Sequence, residues 1–393
     1  MAILGDYIRI KHGFAFKGDY ITTEDNGVVL VTPGNFEIGG GFKEKKCKFF
    51  SAEYPVDYVL HAGDLIVTMT DLSKQGDTLG FSALVPNSNR TYLHNQRIGL
   101  VDVFNPEADK DYIYWFMRTP YYQKTIVATA SGSTVKHTSP LRICDVKIEL
   151  PPLDEQKKIS SILRSIDDKI ENNQKINDNL EQQIQGLYKA WFVDYLPFGG
   201  VKPEFWTQTD IYSLANIIYG APFASKQFNT EGNGKPIIRI RDLKDQQFAT
   251  YTTEVHPKGY LLQPGDIVVG MDGEFRPYIW GNDEAWLNQR VCVFENKRPN
   301  GKAFLYFTIK PLLFAIEQTQ VATTVIHIGK KDYDAFEITL PDSSTLDSFD
   351  ALTSPMITRI VSNSFENKRL AAMRDTLLPK LMSGEIDVSD IQF

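Results

Sequence analysis

Apolar and polar residues follow two kinds of pattern along this 393-residue chain. In the first 150 residues, short β-branched and aromatic runs are bounded by Gly, Pro, Asn and Asp, which is typical of strands. These runs are GVVLVTP, GDLIVTM, FSALVP and RIGLVDVF. DKDYIYWFMRTPYYQKTIV predicts one helix, and GKAFLYFTIKPLLFAIEQT predicts its equivalent later in the chain. The pattern indicates a mixed α/β arrangement with many short strands.

After Pro151 and Pro152 the pattern changes to a heptad, and Asp154 can cap the helix that follows. A second heptad occupies the end of the chain, and together the two heptads predict a coiled-coil seam. Arg374 stands where the first helix has Ile184, so that position is expected to face a rim or a partner. The seam residues are Ile159, Leu163, Ile166, Ile170, Asn173, Asn177, Leu180, Ile184, Leu187 and Trp191 in the first helix, and Met356, Ile360, Asn363, Asn367, Leu370, Leu377 and Leu381 in the second.

Proline and asparagine give the two helices further features. Pro379 predicts that the second helix kinks or ends near Leu378. Two asparagines lie in the middle of each seam, where a buried Asn lowers stability but sets the register. All four asparagines can meet if the helices pair antiparallel, which predicts a pseudo-two-fold axis through this layer. The alternative is that they belong to a solvated helix surface.

The sequence contains an internal repeat. AGDLIVTMTD is echoed by PGDIVVGMDG, HNQRIGLVD by LNQRVCVFE, and STVKH by TTVIH. Gly63 and Asn95 are 32 residues apart in the first copy, whereas Gly265 and Asn288 are 23 apart in the second. Matching landmarks with unequal insertions predict one scaffold carrying two different recognition loops. Neutral variation in loop length is the alternative.

These patterns divide the chain into four parts. A first domain is expected at 1–150, a long helix at 151–195, a second domain at 196–341, and a second long helix with a tail at 342–393. The aromatic stretch LYKAWFVDYLPF ends the first helix, where Trp191 and Phe192 are expected to anchor it to the second domain. The helices are then expected to form a rod with one domain at each end.

Composition changes this picture little. Hydrophobic residues make up 42% and charged residues 23% of the chain, as in folded globular proteins. Neither a membrane span of about 20 apolar residues nor a secretory signal is visible, so a cytoplasmic protein is expected. The three cysteines support neither a disulfide framework nor a zinc site. The net charge of −7 argues weakly against bulk attraction to nucleic acid, although only the contacting face must be basic.

Several long motifs resemble those of one protein family. LPPLDEQKKISSIL, IDDKIENNQKINDNLE and LYKAWFVDYLPF resemble the central conserved region of type I restriction–modification specificity subunits. NKRLAAMRDTLLPKLMSGEIDV resembles their distal conserved region, and the resemblance covers the whole chain in order. The expected fold is α+β, with two similar mixed α/β target-recognition domains separated by a long antiparallel two-helix coiled coil, in a pseudo-two-fold internal repeat.

The resemblance also implies a function. Such a subunit has no catalytic activity and recognises a bipartite sequence in double-stranded DNA, one half-site per domain. Its helices hold the half-sites at a fixed separation and dock two modification subunits, which methylate adenine; restriction subunits, the motor–nucleases, join them. No cofactor is expected on this chain, since S-adenosylmethionine, ATP and Mg belong to the partner subunits. The chain lacks an Asn-Pro-Pro-aromatic motif and a GxxxxGK[ST] phosphate loop, which fits a non-enzyme.

Candidate DNA contacts are side chains able to reach base edges or phosphates. The Asn-Gln-Arg motif recurs in both copies, so it is expected to form scaffold or backbone contacts rather than to distinguish half-sites. The first-domain candidates are Lys74, Gln75, Arg90, Arg97, Thr134 and Lys136, and the second-domain candidates are Arg239, Arg241, Arg276, Tyr278, Arg290, Lys330 and Lys331. Because neither domain has a long basic run, the DNA face is expected to be assembled from separated loops, and the isolated chain to bind weakly.

Two other classes of function stay open. A coiled-coil adaptor that binds only protein would lack the steep salt dependence of DNA binding. A stand-alone nuclease would need the loosely spaced Asp25 and the EKK stretch from Glu44 to Lys46, which are more typical of a solvated charged loop. His137 and His327 are expected to finish strands rather than to bind a metal.

Overall fold

The computed structural model describes residues 2–45, 47–71, 73, 75–132, 135–319 and 327–391. The chain forms two compact units. Unit 1 comprises Met1–Asp167 and Ala372–Phe393, and unit 2 comprises Asp168–Ala371. Each unit contains one mixed α/β domain and parts of two long helices. No helix in the described ranges has both the length and the apolar character that crossing a membrane requires.

The strands of unit 1 are short and form two main sheets. One sheet is antiparallel in the order β2-β11-β7-β9; the other has the order β3-β5-β4-β10-β6 and contains a parallel β4–β10 pair. Two smaller pairs are β1-β13 and β12-β8. The strands are β1 (Ala2–Ile3), β2 (Ile8–His12), β3 (Ile21–Thr22), β4 (Val28–Val31), β5 (Lys48–Phe50), β6 (Val59–Leu60), β7 (Leu65–Thr68), β8 (Thr70–Asp71), β9 (Ser82–Leu84), β10 (Thr91–His94), β11 (Ile98–Val103), β12 (Lys136–His137) and β13 (Lys147–Ile148).

Unit 2 repeats this topology. Its sheets have the orders β15-β23-β20-β21 and β16-β18-β17-β22-β19, and the β17–β22 pair is again parallel. The equivalent of β1-β13 is β14-β24. The internal duplication predicted from the sequence is therefore confirmed for the two main sheets and for the β1-β13 pair, whereas the β12-β8 pair is matched only by an isolated bridge between Asp272 and His327. The strands are β14 (Thr207–Asp210), β15 (Ala215–Tyr219), β16 (Phe228–Asn229), β17 (Lys235–Ile238), β18 (Tyr251–Thr252), β19 (Leu261–Leu262), β20 (Ile267–Gly270), β21 (Pro277–Ile279), β22 (Ala285–Leu287), β23 (Val291–Asn296) and β24 (Glu337–Leu340).

Helices cover one side of each antiparallel sheet. In unit 1 the buried core combines Trp115 with Ile159, Leu163, Leu378 and Leu381 of the two long helices. The α-helices are α1 (Lys110–Phe116), α2 (Pro120–Thr129), α3 (Pro140–Cys144), α4 (Leu153–Phe192), α5 (Lys302–Thr319), α6 (Lys330–Tyr333) and α7 (Ser343–Met382). Short 3-10 helices lie at Leu4–Asp6, Gly18–Tyr20, Pro33–Asn35, Val56–Tyr58, Leu196–Phe198, Ile211–Ser213, Ser225–Gln227 and Ile240–Asp242.

At two prolines the observed helices differ from the predicted ones: one predicted helix is divided, and the other continues past its proline. The single helix predicted at 109–127 is wrong, because α1 ends at Phe116 and α2 begins at Pro120. Thr119 caps the new start by accepting a hydrogen bond from the Tyr122 amide, and Pro120 occupies a first-turn position that needs no donor. For the second long helix the sequence predicts a kink or an end near Leu378. An end at that point is wrong, since α7 continues through Pro379 to Met382, and the kink stays a prediction. Burial of the neighbouring Leu378 and Leu381 offsets the lost backbone hydrogen bond.

The long helices pair antiparallel. In unit 2, Asn173 donates to Asn367 (2.9 Å), and Asn363 donates to Asn177 (2.9 Å). Residue numbers therefore rise along α4 where they fall along α7, as the sequence predicted. Asn173 and Asn363 are almost fully buried, so the solvated-surface alternative is wrong. The four asparagines form two adjacent pairs. The placement of one domain at each end of a helical rod stays a prediction.

Replacing one member of an asparagine pair is expected to cost more than replacing both. Asn173→Leu leaves the Asn367 carbonyl oxygen without its donor, which should lower the free energy of unfolding by about 1–3 kcal/mol. Adding Asn367→Leu should recover part of that loss, because both polar groups are then gone. Urea unfolding of the single and double variants measures the coupling, and strictly additive losses would contradict the pairing.

The aromatic cluster at the end of α4 anchors this helix inside unit 2, as predicted. Tyr188 packs on Phe304 and Phe307 of α5, with ring centroids 5.9 and 5.7 Å apart. Phe192 contacts Phe304 at 4.8 Å, and Trp191 contacts Phe349 of α7 at 5.9 Å. The polar helix therefore ends in aromatics because its last two turns pack against the second domain.

Every predicted seam residue is buried or partly buried, and none of them is exposed. Ile159, Leu163 and Ile184 are almost fully buried, whereas Leu180 and Leu370 are partly buried. The assignment of these positions to one continuous seam stays a prediction.

Candidate nucleic-acid interface

Three segments that carry candidate residues lie side by side in the first domain. The Met69 amide donates to the carbonyl of Arg97 (2.9 Å), which joins the loop after β7 to the Asn-Gln-Arg turn. The Thr138 amide donates to the Met69 carbonyl (3.0 Å), which adds the segment after β12. This convergence brings Arg97 and Lys136 to one face, which we call the turn face of the first domain: the described residues of the loop 69–81, the turn 95–97 and residues 135–138.

The second domain repeats this arrangement bond for bond. The Met271 amide donates to the Arg290 carbonyl (2.9 Å), and the Ile328 amide donates to the Met271 carbonyl (2.9 Å). Its turn face comprises the loop 271–276, the turn 288–290 and residues 327–328. Arg276 and Arg290 therefore belong to one face, in loops that occupy the same places in the fold as those of the first domain.

In each domain a glycine allows a fourth segment of the backbone to contact the Asn-Gln-Arg turn directly. A Cβ atom added to Gly13 would lie 2.1 Å from the Asn95 carbonyl oxygen, and one added to Gly220 would lie 2.0 Å from that of Asn288. Both distances are far below van der Waals contact. The matching GFAF and GAPF motifs are therefore structural, since only glycine permits this close approach.

The difference in length between the copies falls mainly in the turn-face loop. Thirteen residues, 69–81, separate β7 from β9, whereas six residues, 271–276, separate β20 from β21. In the longer loop, the buried Asp71 carboxylate accepts hydrogen bonds from the Ser73 amide (2.6 Å) and the Thr78 hydroxyl (2.7 Å). Burial raises the pKa of Asp71, but these hydrogen bonds outweigh it and leave the pKa below the ordinary value. The described part of the loop is thus folded around a charged carboxylate.

The Asn-Gln-Arg turn of each domain ends in an exposed arginine, and the surroundings of the two arginines differ. Arg97 is exposed, and within the described residues its guanidinium forms no ion pair. Arg290 is also exposed, but its guanidinium lies 3.6 Å from Asp272 and donates to His327 (3.1 Å). His327 also contacts Asp272 at 2.6 Å. The described residues contain no group of three or more His, Cys, Asp or Glu side chains placed to hold a metal ion.

Arg90 lies away from the turn face of its domain. It precedes β10, whereas Arg97 follows that strand, and it pairs with Asp25 at 2.6 Å. The second domain carries an ion pair with reversed charges at the equivalent place, Lys235 with Glu284 at 3.2 Å. Both pairs link the starts of two parallel strands. Arg90 therefore has a structural partner in Asp25. The same ion pair engages the carboxylate on which the nuclease alternative depended.

Three arginine candidates of the second domain contact acidic or polar neighbours. Arg239 donates to the Thr250 hydroxyl and lies 3.6 Å from Asp242. Arg241 is exposed and lies 3.7 Å from the same carboxylate. Arg276 binds Glu317 of α5 through two hydrogen bonds, one of 2.9 Å. A DNA contact by Arg276 would therefore require its guanidinium to leave a carboxylate.

The remaining candidates fall in different environments. Tyr278 of β21 lines a cavity of about 160 Å³ with Glu181 and Tyr306. Lys330 pairs with Asp334 (2.7 Å) one helical turn along α6, whereas Gln75 and Lys331 are exposed. Lys136 is partly buried in β12, opposite Asp71. Lys74 and Thr134 lie outside the described residues. The assignment of all these side chains to DNA stays a prediction.

Sequence reasoning overlooked two residues that shape these domains. Asp71 orders the longer loop, and its only signal is a D-x-S-x-x-G pattern, which is common in loops. Arg118 links the first domain to the long helices within unit 1. Its signal was available, because Tyr114, Trp115 and Arg118 have the same spacing as Tyr306, Phe307 and Lys310 in the second copy.

Comparison with known proteins connects this fold to one family. The sequence model of the type I restriction modification DNA specificity domain matches residues 3–182 and again 203–360. The EcoBI specificity subunit of Escherichia coli is 34% identical over 43% of this chain, and that match covers 33% of the Escherichia coli protein. The MjaIX specificity subunit of Methanocaldococcus jannaschii is 25% identical over 72% of this chain and 70% of its own length.

A solved structure supports the architecture. The crystal structure of the S subunit of a type I restriction–modification system from M. genitalium aligns with 96% of this chain and 94% of its own, with a TM-score of 0.59 and 16% identity. That level of identity supports the fold, and the family follows from the two sequence-model matches, which together cover most of the chain. This chain belongs to the family of type I restriction–modification specificity subunits.

Proposed function

We propose that this chain reads a bipartite sequence in double-stranded DNA, one half-site per recognition domain, for a type I restriction–modification complex. The observation that carries this proposal is the matching strand order of the two main sheets in each domain, combined with turn-face loops of thirteen and six residues. A common scaffold offers DNA the same general surface twice. Unlike loops on that surface then select unlike half-sites.

The side chains of the turn faces fit such a role. Arginine donates two hydrogen bonds to guanine, and amide side chains pair with adenine in the major groove. Arg97 and Gln75 are exposed in the first domain, and Arg276 and Arg290 belong to the turn face of the second. The net charge of −7 leaves little general attraction for DNA, so the partner subunits are expected to supply much of the affinity.

The antiparallel helices are proposed to serve as the docking surface for two modification subunits. Most of their apolar side chains are buried or partly buried, and exposed polar residues lie along their outer surfaces. S-adenosylmethionine, ATP and Mg are assigned to the modification and restriction subunits, and this chain is proposed to perform no catalysis. The contribution of this chain is then to place each modification subunit beside a half-site.

Mapping methylated adenines tests the proposal directly. DNA from cells that express the chain with its modification subunits should carry methyladenine in one bipartite motif with two unlike half-sites and a constant spacer. Cells that lack only this chain should show no such motif. Methylation in a continuous site, or in a palindrome with identical half-sites, would contradict reading by two different domains.

Salt dependence separates this function from that of a protein-binding scaffold. DNA binding by the assembled complex should weaken steeply between 50 and 200 mM salt, by about 10³-fold if six phosphates are contacted. A scaffold whose domains bind only protein would contribute no such slope. Fluorescence anisotropy with and without this chain measures the difference.

A further inference from the structure

A buried arginine connects three parts of unit 1. Arg118 follows α1, and only 4% of its side chain is exposed. Its Nε donates to the Gly39 carbonyl (2.8 Å) in the loop between β4 and β5, and its Nη1 lies 3.1 Å from the Asp167 carboxylate of α4. One guanidinium therefore joins a loop of the recognition domain to a long helix.

Asp167 extends this connection to the other long helix. Arg374 of α7 donates to the second oxygen of the Asp167 carboxylate (2.6 Å), so that one acid lies between two guanidinium groups. Only 18% of the Arg374 side chain is exposed. Burial lowers the pKa of Arg374, but the Asp167 carboxylate more than offsets this, so the group stays charged. Charge-assisted hydrogen bonds are strong where water is excluded.

Packing fixes the Arg118 side chain in this position. Its guanidinium lies 4.4 Å from the ring centroid of Trp115, and its Nη1 donates to the Tyr114 hydroxyl. A Cβ atom added to Gly40 would lie only 2.6 Å from Arg118 Cγ, so the loop backbone rests directly on the arginine. The loop, α1 and the paired helices thus cannot shift independently without breaking these contacts.

The second domain has a weaker counterpart. Lys310 lies 5.3 and 5.6 Å from the rings of Tyr306 and Phe307, which precede it at the same spacing. Its Nζ lies 3.3 Å from Glu181 of α4, and both side chains are 40% or more exposed. An exposed ion pair contributes little, whereas breaking a buried one is costly. The duplicated position therefore carries the same kind of link with unequal strength.

We propose that Arg118, Asp167 and Arg374 form a joint that holds the first recognition domain at a fixed angle on the helices and thereby restricts the spacer length between half-sites. This inference rests on the proposed bipartite reading of DNA. One added base pair moves a half-site by about 3.4 Å and rotates it by about 34°. A rigidly held domain cannot reach the displaced half-site, whereas a domain freed from these contacts can move to it. These three are positioning residues, because none of them is proposed to touch DNA.

The test uses the complex of this chain with its modification subunits. Methyl transfer is measured on duplexes with the native spacer and with spacers one base pair shorter and longer. Arg118→Met should raise the rate at altered spacers, relative to the native spacer, by about tenfold. Base preference within each half-site should stay unchanged, which a general loss of folding would not produce. Lys310→Met is the matched control and should change spacer selectivity less.

Further variants keep the test decisive. Asp167→Asn removes the shared charge with little change in shape and should relax the spacer in the same direction, whereas Arg118→Lys should restore part of the selectivity. Thermal unfolding shows whether each variant is folded. If the Arg118→Met protein does not fold, spacer selectivity is measured with Asp167→Asn instead. Folded variants with wild-type spacer selectivity would overturn the joint, as would a larger effect of Lys310→Met. A wild-type complex that methylates no bipartite site would instead overturn the proposed function.

Discussion

Replacing Leu180 and Leu370 together with aspartate is expected to abolish assembly with the modification subunits. Both side chains are partly buried on the inner surfaces of α4 and α7, on either side of the asparagine pairs in unit 2. A carboxylate at either position loses hydration without gaining a partner, at a cost of about 2–3 kcal/mol each. Affinity for the modification subunits should fall by at least about a hundredfold, as measured by size-exclusion chromatography with light scattering.

A matched variant separates charge from burial in this experiment. Gln182→Asp with Ser362→Asp adds the same two charges to exposed positions on the same helices. That protein should remain paired, with a circular dichroism spectrum and a melting temperature close to those of the wild type. If the Leu180→Asp, Leu370→Asp protein assembled with undiminished affinity, docking would not depend on the helix pairing, and the seam assignment would be mistaken.

Much of the fold could be predicted because its signals are local or repeated. The strands β7 and β20 are buried along their whole length and appear in sequence as continuous apolar runs. The two copies check each other, since a strand found in one is expected in the other. The helix errors arose at Pro120 and Pro379, where the same residue begins one helix and is tolerated near the end of another. Tertiary packing decided between these outcomes.

The charged partners could not be predicted in the same way. Arg276 meets Glu317 across 41 residues, Arg118 meets Asp167 across 49, and Arg90 meets Asp25 across 65. Sequence spacing contains no information about which carboxylate faces which arginine. From the sequence alone, a basic residue in a loop is a candidate for DNA contact. In the folded chain, several of these residues pair with an acidic side chain. Arg97 and Lys331 remain exposed, and within the described residues no ion pair engages either of them.

Substituting alanine for Arg276 is expected to relax recognition of the half-site read by the second domain. The guanidinium is one-third exposed on the turn face, so exchange from Glu317 to a guanine would need only a local movement. Loss of a bidentate contact to a base should reduce discrimination at one base pair by about 1–3 kcal/mol. Discrimination in the other half-site should stay unchanged. Methylation rates on a set of duplexes with single substitutions in each half-site measure both quantities.

Glu317→Gln distinguishes a DNA contact from a purely structural ion pair. The hydrogen bonds from Arg276 lower the pKa of Glu317, so the carboxylate is ionised at neutral pH and would compete with DNA for the guanidinium. If Arg276 reads a base, Glu317→Gln should keep the base preference and increase DNA affinity, because the competing charge is gone. If the pair only supports the fold, Glu317→Gln should reproduce the loss seen with Arg276→Ala. Relaxation of both half-sites by Arg276→Ala would contradict independent reading by the two domains.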